Sequence, residues 1–131
     1  MNTSNRPLKP FVAFALALLI AACSTSLERT IDAGDSGGTV NLKAGEELII
    51  KLDADHETGF RWTLAGGGAI AVPAGPPSYE VKSSLFRSRG VETWRFRTPQ
   101  PGKEILRLEY RRQAGPDKSA TRSVSYQVVV R

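Results

Sequence analysis

The chain has 131 residues, enough for one domain and not comfortably for two. Eighteen Lys and Arg stand against 13 Asp and Glu, a formal net charge of +5 that is too mild to argue for nucleic acid. The single cysteine excludes an intramolecular disulfide.

The N-terminus reads as separate from the domain. Arg6 and Lys9 precede "FVAFALALLIAA", Phe11 to Ala22, an unbroken apolar run. At about 1.5 Å per residue it is too short to cross a hydrocarbon core of about 30 Å. The pattern over 1–22 is that of a secretory signal peptide. Cys23 follows directly, in "LIAACS". Ile20, Ala21 and Ala22 ahead of Cys23 resemble the bacterial lipobox. That resemblance implies cleavage before Cys23, diacylglycerol on its sulfur, and a lipid-anchored protein of the cell envelope. Ser24, where an Asp would retain the protein, implies the outer membrane, facing the periplasm or the surface. Acyl chains contribute about 0.8 kcal/mol per buried CH₂, enough in combination to hold a protein on a membrane. The other reading is ordinary signal-peptidase cleavage with a leftover thiol. Without Arg6 and Lys9 the remaining chain carries 16 basic and 13 acidic side chains, net +3, and no nucleic-acid partner is expected.

Residues 23–37 are polar and rich in Gly, Ser and Asp, and read as a flexible tether. The domain is expected over 38–131. Within it, short alternating segments are separated by turn signals. Val40 and Leu42 alternate in "TVNLK", and Leu48, Ile50 and Leu52 in "ELIIKLD". Phe60, Trp62 and Leu64 share a face of "FRWTLA", and Tyr79, Val81 and Leu85 one of "SYEVKSSLF". Trp94 and Phe96 follow in "VETWRFRT", then Leu106, Leu108 and Tyr110 in "EILRLEYRR". Val124, Tyr126, Val128 and Val130 close the series in "SVSYQVVV". Seven such half-buried segments predict an all-β, immunoglobulin-like antiparallel sandwich of about seven strands. The link "GGGAIAVPAGPP" should cross between sheets or run along an edge, where Pro is tolerated.

If each strand crosses the sandwich once, alternate connections fall at one end. "ADHETG", "FRSRG" and "RQAGPDKSAT" would then lie side by side, three loops on a rigid frame. Arg87, Arg89, Arg111, Arg112, Lys118 and Arg122 would gather there, as a solvated face or as a match for an acidic partner.

An enzyme finds little support. His56 is the only histidine, and no serine elbow is present. Asp53, Asp55 and Glu57 lie near His56, but a catalytic zinc usually takes several His or Cys ligands. His56 therefore reads as a solvated loop residue and the carboxylates as turn-formers. No catalytic residue, metal or cofactor is expected. Thr58-Gly59 is either a plain turn into the next strand or a presented loop tip, since Gly takes positive φ at little cost.

"DHETGFRW", Asp55 to Trp62, resembles the Asn-Pro-Thr-Thr-Gly-aromatic-x-Trp motif of the chagasin-like cysteine protease inhibitors (inhibitor family I42). Thr58, Gly59, Phe60 and Trp62 match; Asp55, His56 and Glu57 stand for the motif's Asn, Pro and first Thr. "RGVETWRFR" is similar to the family's Gly-x-Gly-Gly loop and the strand after it, through Gly90, Trp94 and Phe96. Arg87 and Arg89 replace two of its glycines. "LEYRRQA" is similar to Tyr-x-Arg-Pro-Trp through Tyr110 and Arg112, with Gln113 and Ala114 in place of Pro and Trp. The resemblance implies a monomeric, reversible inhibitor that fills the cleft of papain-family cysteine proteases with these three loops. It assigns protease contact to Asp55, His56, Glu57, Thr58, Gly59, Phe60, Arg89, Gly90, Arg112, Gln113 and Ala114. The loop arginines and the missing Trp leave a second reading, a membrane-anchored envelope binding module without protease inhibition.

Overall fold

The computed structural model describes residues 27–82 and 89–131. The signal segment, Cys23, the first residues of the expected tether, Leu85 and Arg87 lie outside the described residues.

Among the described residues, nine strands form two sheets: β1 (Glu28–Asp32), β2 (Thr39–Leu42), β3 (Glu47–Asp55), β4 (Phe60–Gly66), β5 (Val72–Pro73), β6 (Ser78–Val81), β7 (Arg89–Arg97), β8 (Gly102–Arg112) and β9 (Ala120–Val130). One sheet runs β1-β3-β7-β5, with β6 also on β7; the other runs β2-β9-β8-β4. The alternation seen in the sequence builds this sandwich. Leu48, Ile50, Leu52 and Phe96 meet Leu106, Leu108, Tyr126 and Val128 in one core, all fully buried. Each such side chain contributes about 1.5–3 kcal/mol by leaving water. Val81 departs from the expected pattern: it is exposed rather than inward.

The sandwich is antiparallel except at two places. β1 pairs with β3, and β2 with β9, in parallel register. The expectation of a flexible tether through residue 37 is corrected here. Glu28–Asp32 is a strand, and Ala33–Asp35 forms a 3-10 turn capped by the Asp32 side chain. Only Ile31 of this strand is buried, so no alternation marked it. Tyr126 fastens the turn from below by donating its hydroxyl proton to the Asp32 carbonyl at 2.7 Å. Burial, and then the Asp35 and Asp32 charges, push that phenol well above its usual range.

The Gly- and Pro-rich link both crosses between sheets and runs along an edge. It leaves β4 in one sheet, pairs as β5 with β7 in the other, and continues into β6. Glu104 on β8 fixes its start. The Glu104 carboxylate accepts backbone N–H groups from Gly68 (3.2 Å), Ala69 (3.1 Å) and Ala71 (2.7 Å). Burial opposes the charge, but these backbone donors outweigh it and hold the Glu104 carboxyl below its usual range.

Candidate functional site

The register brings the three loops to one pole. Asp55 at the end of β3 pairs with Arg89 at the start of β7, and Ala54 with Gly90. In the other sheet, Phe60 at the start of β4 pairs with Arg112 at the end of β8. The β3–β4 connection lies between these two pairs and spans the sheets. Arg89 and Gly90 therefore sit in a strand end, not in a free loop as the sequence suggested, while Phe60 and Arg112 lie at the strand ends where "FRWTLA" and "EILRLEYRR" put them.

The tip itself is a single 3-10 turn, His56–Thr58. The Asp55 carboxylate caps it by accepting the Glu57 N–H at 3.2 Å, the turn-forming role expected of it. The Thr58 hydroxyl donates back to the Asp55 carbonyl at 2.6 Å. Gly59 ends the turn at φ 80°, in the left-handed region, and its N–H returns to the His56 carbonyl. Glu57, Thr58 and Gly59 are exposed.

Both ends of the tip are tied to β8. The Asp55 N–H donates to the Tyr110 hydroxyl at 2.8 Å, and the Gln113 N–H donates to the Gly59 carbonyl at 3.0 Å. Beneath them lies an aromatic stack. Tyr110 contacts Phe60 at 5.4 Å and Trp62 at 5.2 Å between ring centroids. Trp62 is buried and its indole N–H donates to the Asp53 carbonyl at 3.0 Å.

The basic group is not simply a solvated face. The Arg122 guanidinium covers Trp62 and Tyr110 and donates to the Asp53 carbonyl at 3.1 Å. Arg112 lies over the Phe60 ring, 5.0 Å from its centroid. Arg111 pairs with the nearly buried Glu109 and donates to the Lys118 carbonyl. These contacts stiffen the pole through cation–π and charge-assisted bonds.

One expectation needs correction. His56 is not a solvated loop residue: its side chain is only 19% exposed and faces the buried Glu92. Gly90 borders a cleft at this pole. It is buried, and a Cβ there would lie 2.6 Å from the Tyr79 ring and 2.3 Å from the Glu80 carbonyl. Gln113 and Ala114 are exposed, with Ala114 beside Phe60 and Arg112 along a shallow groove. A larger open cleft, about 720 Å³, runs from the paired β3 and β7 ends toward β8 and β9 and is lined by Asp55, Thr58, Arg89, Gly90, Tyr110 and Arg122 among others.

Glu92 was missed in the sequence. It shares parity with Trp94 and Phe96, and this places it on the inner face of β7 at 2% exposure. That parity was the available signal. Its Oε2 accepts the Trp62 backbone N–H at 3.0 Å, joining the two sheets under the tip.

Comparison with known proteins agrees with this geometry. Residues 41–128 match the family model described as chagasin family peptidase inhibitor I42. The cysteine protease inhibitor EhICP2 from Entamoeba histolytica is similar in structure, with TM-score 0.72 and 16% identity, covering 80% of this chain and 96% of that one. Amebosin follows with TM-score 0.61 and 20% identity, covering 80% and 98%. PbICP-C, solved in complex with falcipain-2, gives TM-score 0.51 and 19% identity, covering 81% and 91%. At these identities the structural likeness is one of fold. No curated protein sequence matches the chain.

Proposed function

The chain belongs to the chagasin family of peptidase inhibitors, and on that premise we propose that it is a reversible, non-covalent inhibitor of papain-family cysteine proteases. The family is one of inhibitors, not enzymes. The observation that carries the finer reading is the exposed Thr58-Gly59 tip, braced at both ends by Tyr110 and Gln113 and flanked by the Arg89 and Arg112 strand ends. EhICP2 is a cysteine protease inhibitor, and PbICP-C binds falcipain-2; both descriptions support this choice of target class.

Inhibition follows from occupancy. A turn closed by its own hydrogen bonds enters the cleft with little conformational freedom left to lose. Gly59 has no side chain, so backbone can approach the catalytic thiol closely. The tip offers no extended segment for attack. Arg89 on one side, and Arg112, Gln113 and Ala114 on the other, contact the cleft walls. The inhibitor acts as a monomer.

In this reading Cys23 carries lipid after removal of residues 1–22, and the protein is held on the envelope membrane. The topology suits such an anchor. β1 starts at Glu28 beside Glu47, at the pole opposite Asp55. Strand β3 has nine residues, so at about 3.3 Å each the loops stand some 30 Å from the entry point and face away from the lipid.

The test of the function is protection of papain's catalytic thiol. Saturating protein should block its alkylation by iodoacetamide. Alkylation at the free-enzyme rate would contradict the proposal. The anchor is tested by labelling with radioactive palmitate: label is expected on the native chain and absent from Cys23→Ser.

A further inference from the structure

We propose that His56 is the positioning residue of the inhibitory tip, acting as a neutral imidazole wedged between Arg61 and Glu92. The role in inhibition rests on the reading just given; the role in holding the turn does not.

His56 opens the 3-10 turn, and its ring points inward while Glu57 and Thr58 face out. Three strands meet that ring. From β6, Tyr79 stacks on it with centroids 3.6 Å apart and planes 14° from parallel. From β4, the Arg61 guanidinium Nη1 contacts Nδ1. From β7, the Glu92 carboxylate Oε2 lies 3.3 Å from Nε2. β6 and β7 belong to one sheet and β4 to the other, so a single ring joins both sheets to the tip.

The contacts select a tautomer. Arg has donors only, so Nδ1 must be the acceptor. The ring is then neutral, with its proton on Nε2, pointed at the Glu92 side. Nε2 is shielded from solvent and makes no well-aligned hydrogen bond. The attraction to Glu92 is therefore that of a buried N–H dipole near a carboxylate. The carboxylate cannot drift, because it also accepts the Trp62 N–H. The groups facing the ring are Arg61 from β4, Glu92 from β7 and Tyr79 from β6. Asp55 and Glu57 flank it on its own turn.

Gly90 completes the arrangement. Its missing side chain leaves room for the Tyr79 ring on which His56 stacks. Tyr110 and Gln113 hold only the ends of the turn. His56 holds its first residue, and through the Gly59 N–H to His56 carbonyl bond it holds the last.

The experiment uses the untagged mature chain carrying Cys23→Ser, in which His56 is the only histidine. Long-range ¹H–¹⁵N spectra should show a proton on Nε2 and a bare, acceptor Nδ1 at neutral pH; the opposite tautomer would overturn the proposal. His56→Ala should speed amide exchange at Gly59, and unchanged exchange would likewise overturn it. These two readouts need no protease, so they stand apart from the inhibitor reading. His56→Ala should weaken papain inhibition about tenfold or more, the usual scale for losing one preorganised group. His56→Gln, which can accept from Arg61 and donate toward Glu92, should restore most of it. Equal inhibition by wild type and His56→Ala, or equal loss in Ala and Gln variants that remain folded, would refute the positioning role.

Discussion

The Tyr110 hydroxyl accepts the Asp55 backbone N–H at 2.8 Å. Tyr110 sits on β8 and Asp55 ends β3, in opposite sheets, so this bond closes the sandwich at the pole that carries the tip. It also explains why a buried tyrosine is needed there: its ring supports Phe60 and Trp62 while its hydroxyl reaches the turn.

Tyr110→Phe keeps the ring and removes that acceptor. The Asp55 N–H then loses the Tyr110 hydroxyl in a part-buried place, a loss of about 1–2 kcal/mol. Urea unfolding should show a lower midpoint at unchanged slope. A midpoint equal to wild type would mean that water replaces the hydroxyl without cost.

Gly59 has φ 80° and nothing within 4 Å of where a Cβ would stand. Its substitution therefore costs conformation rather than space. Gly59→Ala should lose about 1 kcal/mol, and Gly59→Asn less, because Asn visits the left-handed region more easily. At the proposed interface size matters instead. Gly59→Glu should weaken protease binding more than Arg112→Ala, and equal, negligible effects would remove the tip from the account.

At Gly90 the constraint is space. A Cβ would meet the Glu80 carbonyl at 2.3 Å, and backbone cannot yield cheaply there. Gly90→Ala should destabilise by about 1–3 kcal/mol, as overpacking does. Thermal unfolding checks it, and a melting temperature within error of wild type would show that β6 can move off β7.

Glu104 ties pH to stability. Its carboxyl is held below the usual range when folded, so the charged form contributes stability at neutral pH. That contribution is fully present above the ordinary carboxylate value and is lost as pH falls through the lower, folded one. Glu104→Gln should lower stability at pH 7 and narrow the gap to wild type in acid. A gap independent of pH would show that the charge does not matter to the 68–71 segment.

Most of the frame was legible because each main strand buries one face. Leu106, Leu108 and Tyr110, or Val124 through Val130, announce themselves by period two alone. β1 was not legible, since an edge strand with one buried residue carries no period. β5 was hidden because Val72 and Pro73 are too short a pair to alternate. At the site, the sequence located Thr58 and Gly59 through local turn chemistry. It could not reveal the partial burial of His56, because Glu92, Tyr79 and Arg61 arrive from three other strands. Likewise the sequence could not reveal that Gly90 is clearance for the Tyr79 ring.

Occupancy of a protease cleft by the tip is tested most directly by an inhibition constant. The chain with Cys23→Ser should inhibit papain and a cathepsin L-type enzyme competitively, with Ki well below about 10 µM, a weak affinity on the usual scale. Gly59→Glu should raise that constant. Full protease activity at about 10 µM inhibitor would contradict the account.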